Sequence, residues 1–507
     1  MEVLLRVYKN QFVRNFGVNG LNFIVKIGLG LLLPPLLIKL IGLSSLGYVQ
    51  IATSVAAYSA LLSTSLNQAN NKFVTVGIGS NNQPYVNNVL STIFTMYGVS
   101  FLLVIPLLLL FLLNVDVFVD VDTNDINSIR LLFLFVGLSQ ICVMSNTALA
   151  SPLYAKNRID LIQGVNVTRN ILRLIFIFFG LSYVVPNIVA VGVAIFTSSL
   201  ISTIISIYYF RDSLPSFSFT KFSSSILSDV MKLSGWTCVS VLGVMFFMQT
   251  DILLINRFLG SETSGEFALL NQWVVLLISL TAVLSGSLAP KIMMEYSKGN
   301  IDKMKILFLS SIKHQGIFIA IPISIIFVFA DFILKIWVGE DFVYLSNYLR
   351  LIIVLLSISM AMRQVATINT IFDKMKGHAL LTLFFSLCHI VAVIFLLKYT
   401  TFGMVGVIIS NVLFFFLLNV VFLPLYANKK LKISKRKIYK HLFLILLFEI
   451  SLIAIGFTLR YLSGGESYIS ALLIVLFLLF VSLVGIYFFI ADQSERKLLK
   501  NYLGGIK

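Results

Sequence analysis

Seven ionisable residues stand inside long apolar runs of this 507-residue chain: the cations Lys26, Arg169, Arg173, Lys313 and Arg363, and the acids Asp251 and Glu449. A charge at the centre of a membrane helix costs roughly 2.5 kcal/mol or more unless a partner or water meets it. Arg169 and Arg173 are four residues apart, so they share one helix face, where like charges repel. A hydrated cavity or a bound anion relieves such a pair, and the planar guanidinium grips phosphate in a bidentate fashion. The five cations therefore form a candidate anion-binding set headed by the arginine pair. A second reading stands beside it for Lys26, Lys313 and Arg363: the lysines snorkel to the headgroups, and Arg363 anchors a helix end. Asp251, next to Gln249 and Thr250 in what reads as a polar break, is a candidate for binding a coupling proton or cation. Glu449 is a weaker one, because it falls outside the internal duplication described below. Either acid could instead neutralise a buried cation.

Other chemistry finds little support. There is no Gly-Lys-Ser/Thr phosphate loop, so direct drive by ATP is not expected. Asn166-Val-Thr168 has the form of a glycosylation acceptor but lies inside an apolar run. His314, His378, His389 and His441 are scattered, and Cys142, Cys238 and Cys388 lack metal or redox spacing. His389, deep in an apolar run, reads first as a hydrogen-bonded packing residue. The expectation is a protein that is not an enzyme and carries no metal or cofactor.

The elements that must position these residues are membrane helices. The chain is 58% hydrophobic and 12% charged, and its mean hydropathy is +0.98. A soluble domain carries about 25% charge. Apolar runs near 20 residues recur along the chain, each long enough to cross a hydrocarbon core about 30 Å thick. They predict fourteen spans at 17–41, 46–67, 88–113, 130–152, 163–184, 187–210, 233–255, 266–288, 306–330, 346–368, 378–398, 402–427, 442–461 and 468–491. The fold class expected is all-α and integral to the membrane. The first span lacks a small-residue cleavage site and reads as a retained helix.

The net charge of +17 raises the question of nucleic acid, and its distribution answers it. With the N-terminus in the cytoplasm, the basic residues concentrate in cytoplasmic segments, as the positive-inside rule requires. Lys429, Lys430, Lys432, Lys435, Arg436, Lys437 and Lys440 mark the loop between spans twelve and thirteen; Asp116, Asp120, Asp122 and Asp125 mark the external loop after span three. The basicity is a topology signal, with contact to anionic membrane lipids as a further use. Nucleic-acid binding is not expected, and both termini are placed in the cytoplasm.

Three matches point to a duplication. Gly42-Leu-Ser-Ser-Leu-Gly47 is echoed by Gly260-Ser-Glu-Thr-Ser-Gly265 at an offset of 218. Ile105-Pro106 with Phe111 is echoed by Ile321-Pro322 with Phe327 at 216, and Val191-Gly192-Val193 by Val405-Gly406-Val407 at 214. Each pair is six spans apart, and six is even, so the copies share one orientation. The chain divides on this reading into two six-helix lobes, 1–212 and 213–428, around a central cavity, with an added helix pair and basic loop and tail at 429–507. Pro34, Pro35, Pro106 and Pro322 lie at membrane depth and free backbone carbonyls, by a packing kink or beside a cavity.

Pro35-Leu-Leu-Ile-Lys39-Leu-Ile-Gly42-Leu-Ser-Ser-Leu-Gly47-Tyr48 resembles the end of span one and start of span two in bacterial polysaccharide flippases of the multidrug/oligosaccharidyl-lipid/polysaccharide exporter superfamily. Span number, paired lobes and the basic loop before an added helix pair extend the resemblance over essentially the whole chain. It implies an O-antigen or similar repeat-unit flippase of the inner membrane, in the lipopolysaccharide or a related surface-polysaccharide route. Its cargo would be an undecaprenyl-pyrophosphate-linked oligosaccharide moved by alternating access and biased by a proton or cation gradient. Polysaccharide polymerase machinery would be a partner. Lys26, Arg169, Arg173, Lys313 and Arg363 match the cationic cavity of that group in character, not through a positional motif. Two rivals are a cation-coupled multidrug antiporter of the same superfamily, a group that resemblance associates with acidic cation sites in a less basic cavity, and a polymerase or acyltransferase of the same route, of which a polymerase would have a large external loop.

Overall fold

The computed structural model describes residues 2–120, 125–184, 186–214, 216–220, 222–363, 365, 375–431, 433–464 and 467–487, and among these there is no β-strand. The basic-loop residue Lys432 and the external Asp122 lie outside the described residues. Thirteen described helices are long and apolar enough to cross a membrane, and counting the pair Leu43–Leu61 and Ser63–Gly79, bent by 43°, as one span makes fourteen. They are α1 (Glu2–Ile41), α2 (Leu43–Gly79), α3 (Gln83–Leu113), α4 (Ile126–Leu149), α5 (Ile159–Phe179), α6 (Ile188–Ser213) and α7 (Ser224–Leu259). There follow α8 (Ser261–Ser297), α9 (Ile301–Val328), the segmented α10 (Glu340–Ala361), α11 (Met375–Tyr399), α12 (Gly403–Lys429), α13 (Lys435–Leu462) and α14 (Tyr468–Gly485). Every predicted span has its helix.

Large apolar side chains lie open along α3 (Leu102, Leu107, Leu113) and α14 (Leu472, Phe480, Leu483), each more than half exposed. Surface of that kind is unstable in water and is at rest against lipid tails. Pro34 and Pro35 sit inside α1, Pro106 inside α3 and Pro322 inside α9, and each helix continues through them.

The chain forms two compact units: Met1–Leu276 with Asp373–Leu418, and Leu277–Phe372 with Asn419–Lys507. In the first, α4 packs on α6, α7 on α11 and α2, and α5 on α1 and α6. Its core includes Leu66, Val89, Leu90, Ile93, Met144 and Phe210, closed by edge-to-face contacts of Phe94 with Phe210 and Phe217.

The glycine motif found by its repetition has a structural purpose in this unit. Gly42 and Gly260 both adopt positive φ, 85° and 91°, just before α2 and α8 begin. Five residues later, Gly47 and Gly265 meet at a close crossing. A Cβ on Gly47 would fall 2.7 Å from the Ser261 carbonyl oxygen, and one on Gly265 2.4 Å from that of Leu43. The first glycine supplies a turn that L-residues resist and the second a backbone approach that a side chain would block. The two occurrences of the motif have the same conformation and pack on each other.

In the second unit α9 is gripped by α13 and the end of α10. Gly316 lets Ile445 and Ala361 close on α9, and Gln315 donates from Nε2 to the Met360 carbonyl at 3.1 Å.

Candidate functional site

The polar face of α5 is the centre of the site. Gln163, Asn166, Arg169, Asn170 and Arg173 recur at three- and four-residue spacing, which places them along one side of a helix whose other faces are apolar. The face is tied to α1 by Asn22, which donates to Gln163 Oε1 at 2.6 Å and accepts from Asn170 Nδ2 at 3.4 Å. At the start of the two helices buried Asp160 makes a second tie. It accepts from Gln11 Nε2 at 2.7 Å and pairs with Arg14 at 2.8 Å and Arg158 at 3.2 Å. These ties fix which faces of α1 and α5 look at each other, and so bring three of the predicted cations together. The Arg169 charge bears on both Lys26 of α1 and Arg173 of α5. No carboxylate is within ion-pair distance of any of the three among the described residues. Arg173 Nε is buried and has no hydrogen-bond partner there.

Arg169 also lines a cavity of about 360 Å³ enclosed by α2, α4, α5 and α6. Its wall carries Asn67 and Asn71 from α2, Asn146 from α4, and Gln163 and Asn166 from α5. None of its described lining residues is acidic. Such a site offers one fixed positive charge and a row of carboxamides, each both donor and acceptor. The carboxamides were not anticipated as site residues. Their signal was present in Asn67-Gln-Ala-Asn70-Asn71 in the second half of α2 and in the helical spacing of Gln163 and Asn166.

The remaining candidates lie apart. Lys313 and Arg363 belong to the second compact unit; Lys313 is buried in α9 and Arg363 is exposed just beyond α10. Asp251 does not stand in a break: α7 runs without interruption from Ser224 to Leu259, because side-chain polarity at Gln249–Asp251 leaves the backbone ladder intact. Its carboxylate is 2% exposed and fully engaged. One oxygen accepts from His389 Nε2 at 2.7 Å and the other from Asn411 Nδ2 at 2.7 Å. His389 Nδ1 lies 2.9 Å from the Ser410 hydroxyl, and Phe247 stacks on the imidazole at 5.5 Å. His389 is thus the acid's partner, which scatter in the sequence concealed. Glu449 is buried in the second unit. The Ser357 hydroxyl donates to its carboxylate, and the Ser324 hydroxyl reaches its carbonyl at 3.4 Å, fastening α13 to α9 and α10.

Fold and site together define a polytopic helical membrane protein with a cationic, carboxamide-lined cavity inside its helix bundle. Residues 12–294, more than half of the chain, match the family model described as polysaccharide biosynthesis protein, and the chain belongs to that family. It is 25% identical over 426 residues to the uncharacterized membrane protein EpsK of Bacillus subtilis (strain 168), covering 83% of each chain. The fold is that of the lipid II flippase MurJ in an inward closed conformation, with a TM-score of 0.70, 15% identity and coverage of 94% of this chain and 99% of that one. It is also that of an inward-facing multidrug resistance MATE transporter of the MOP superfamily, with a TM-score of 0.64, 16% identity and coverage of 81% and 94%.

Proposed function

We propose that this protein is a flippase that carries an undecaprenyl-pyrophosphate-linked oligosaccharide, of the O-antigen repeat-unit type, from the cytoplasmic to the outer leaflet of the bacterial inner membrane. The observation that carries the reading is the convergence of Lys26, Arg169 and Arg173 without a counter-carboxylate, beside an acid-free polar cavity. Cations that repel through a shared Arg169 in low dielectric are tolerable when a dianionic head completes them, and guanidinium forks match phosphate oxygens. Membership of the polysaccharide biosynthesis family supports the glycan part of the cargo.

In this reading the lobes are 1–212 and 213–428, with 429–507 as the added pair, and both termini are cytoplasmic. The site then lies toward the cytoplasmic leaflet, where the pyrophosphate head enters while the polyprenyl tail stays in lipid. Lys313 and Arg363 serve the head from the second lobe as it crosses. Rocking of the lobes exposes the head outside, biased by a proton or cation gradient. Asp251 is the acid proposed for coupling, because protonation or ion binding there removes the negative charge that His389 and Asn411 now face. Glu449 is the second candidate. A polymerase of the same route takes the product. A drug antiporter needs a carboxylate open to its cargo, and the described residues lining the cavity include none.

Deletion of the gene followed by mass spectrometry of undecaprenyl-linked intermediates tests the proposal. A complete repeat unit should accumulate on the cytoplasmic face, and surface polysaccharide should be lost. Arg173→Glu should reproduce the loss while the protein still inserts. Unchanged surface glycan with new drug sensitivity would establish the antiporter instead, and a truncated glycan an enzyme of synthesis.

A further inference from the structure

One short segment ties the ends of α2 and α7 together. In the assigned topology Val115–Asp120 leave α3 on the external side of the membrane. Val115 to Phe118 form a single helical turn, and Val119 is extended. Val115 and Val119 are both 0% exposed, and Phe118 stacks on Phe111 of α3 with ring centres 5.3 Å apart. Beyond these anchors, side chains of two other helices take up both backbone groups of Asp120. Its N–H donates to Asn256 Oδ1 of α7 at 2.7 Å, and its carbonyl accepts from the Tyr48 hydroxyl of α2 at 3.2 Å.

The two ties fall beside the crossing of the repeated glycine motif. Tyr48 follows Gly47 directly, and Asn256 lies one helical turn before Gly260. A Cβ on Gly260 would stand 3.7 Å from Asp120 Oδ2, so the segment rests against that turn. The crossing itself is made at glycines, which bring backbones together without side chains of their own to interlock. Val115–Asp120 supply the missing tie, with one hydrogen bond to each side. The tie is close to balance: Asn256 is 0% exposed, and its Nδ2 has no partner among the described residues, a cost set against the two bonds made.

We infer that Val115–Asp120 is an outer strap, which holds the external ends of α2 and α7 together and must release Tyr48 and Asn256 when the protein opens outward. The inference rests on the lobe assignment of the flippase reading, in which α2 belongs to the first lobe and α7 to the second. It adds the element that sets how much of the protein is open to the outside. Because the fastening uses the backbone of Asp120, the side chain there is dispensable.

The test is the rate at which a membrane-impermeant maleimide, added to intact cells, labels Ser264→Cys in a chain whose Cys142, Cys238 and Cys388 are replaced by serine. Ser264 is 0% exposed and lies at the crossing, where its Oγ would be 2.5 Å from a Cβ on Gly47. Tyr48→Phe and Asn256→Leu should each raise the rate about fivefold, the worth of one neutral hydrogen bond. The double variant should reach about five- to twentyfold, since the two bonds share Asp120. Asp120→Ala should stay within about twofold of the parent. Ser198→Cys, buried in α6, should remain unlabelled throughout; if it labels in Asn256→Leu, that variant is misfolded and Tyr48→Phe alone decides. Unchanged labelling in Tyr48→Phe and Asn256→Leu, or an equal rise in Asp120→Ala, overturns the strap and leaves the flippase reading standing. The labelling needs no cargo, so raised labelling in a protein whose deletion leaves undecaprenyl-linked intermediates unchanged would keep the strap and overturn the flippase.

Discussion

Replacing Arg169 by glutamine should move stability and cargo affinity in opposite directions. The side chain lies at the junction of the cavity and the cationic trio, and its charge bears on Lys26 and Arg173. Each like-charge pair on or between neighbouring helices costs about 0.2–0.5 kcal/mol, so removing one member of two pairs should stabilise the empty protein by about 0.5–1 kcal/mol. A hydrogen bond to a charged group contributes about 1.5–3 kcal/mol, so the same change should weaken binding of undecaprenyl pyrophosphate roughly ten- to hundredfold. Arg169→Lys keeps the charge without the fork and should fall between the two. Purified protein in nanodiscs allows both readings, thermal unfolding without ligand and native mass spectrometry with undecaprenyl pyrophosphate against undecaprenol as the uncharged control. A glutamine variant that melts lower and binds as tightly as wild type would refute the reasoning, since Arg169 would then be a structural residue.

Three further perturbations test other parts of the structure. Gly265→Ala places a methyl group 2.4 Å from the Leu43 carbonyl oxygen and should destabilise the protein by about 1–3 kcal/mol, whereas Gly28→Ala, with open space around it, should be neutral or stabilising in the same thermal assay. Asp251→Asn should leave a folded protein whose transport in proteoliposomes no longer accelerates when a proton or sodium gradient is imposed; retained acceleration would remove Asp251 from the coupling role. Asp331, between α9 and α10, is held by Arg460 at 2.6 Å and Arg350 at 3.3 Å, with Phe329 against the Arg460 guanidinium. Burial raises its carboxyl, but the hydrogen bond and charge of Arg460 outweigh that, so it titrates below the usual carboxylate range. A depressed folded-state pKa gives stability that is present above the unfolded value near 4 and is lost as pH falls through the folded one. Thermal stability should therefore drop below about pH 4, and Asp331→Asn should lower stability at pH 7 by about 1 kcal/mol and flatten that acid limb.

The helices were legible because each one carries its own cause. An apolar run near 20 residues must satisfy its backbone internally once it enters lipid, whatever surrounds it, so thirteen of the fourteen runs are membrane-length helices and the remaining one is a bent helix pair. The glycine repeat was legible for the same reason: positive φ at Gly42 and Gly260 is a local demand that leaves the same residue type in both copies.

What each polar residue meets is another matter. Asp251 and His389 are 138 positions apart and pair because α7 packs on α11, a choice set by the sum of many apolar contacts and written in no single spacing. The tie from Asn22 to Gln163 and Asn170 likewise decided that Lys26 faces the arginine pair, while Lys313 and Arg363 went to a different compact unit. The sequence by itself determined a basic, many-span membrane protein with unusual charges at membrane depth. Only the tertiary structure decided which charges are neutralised at once, as at Asp251, and which are left facing a polar cavity, because burial and partnership belong to the packing of helix faces and not to any one helix.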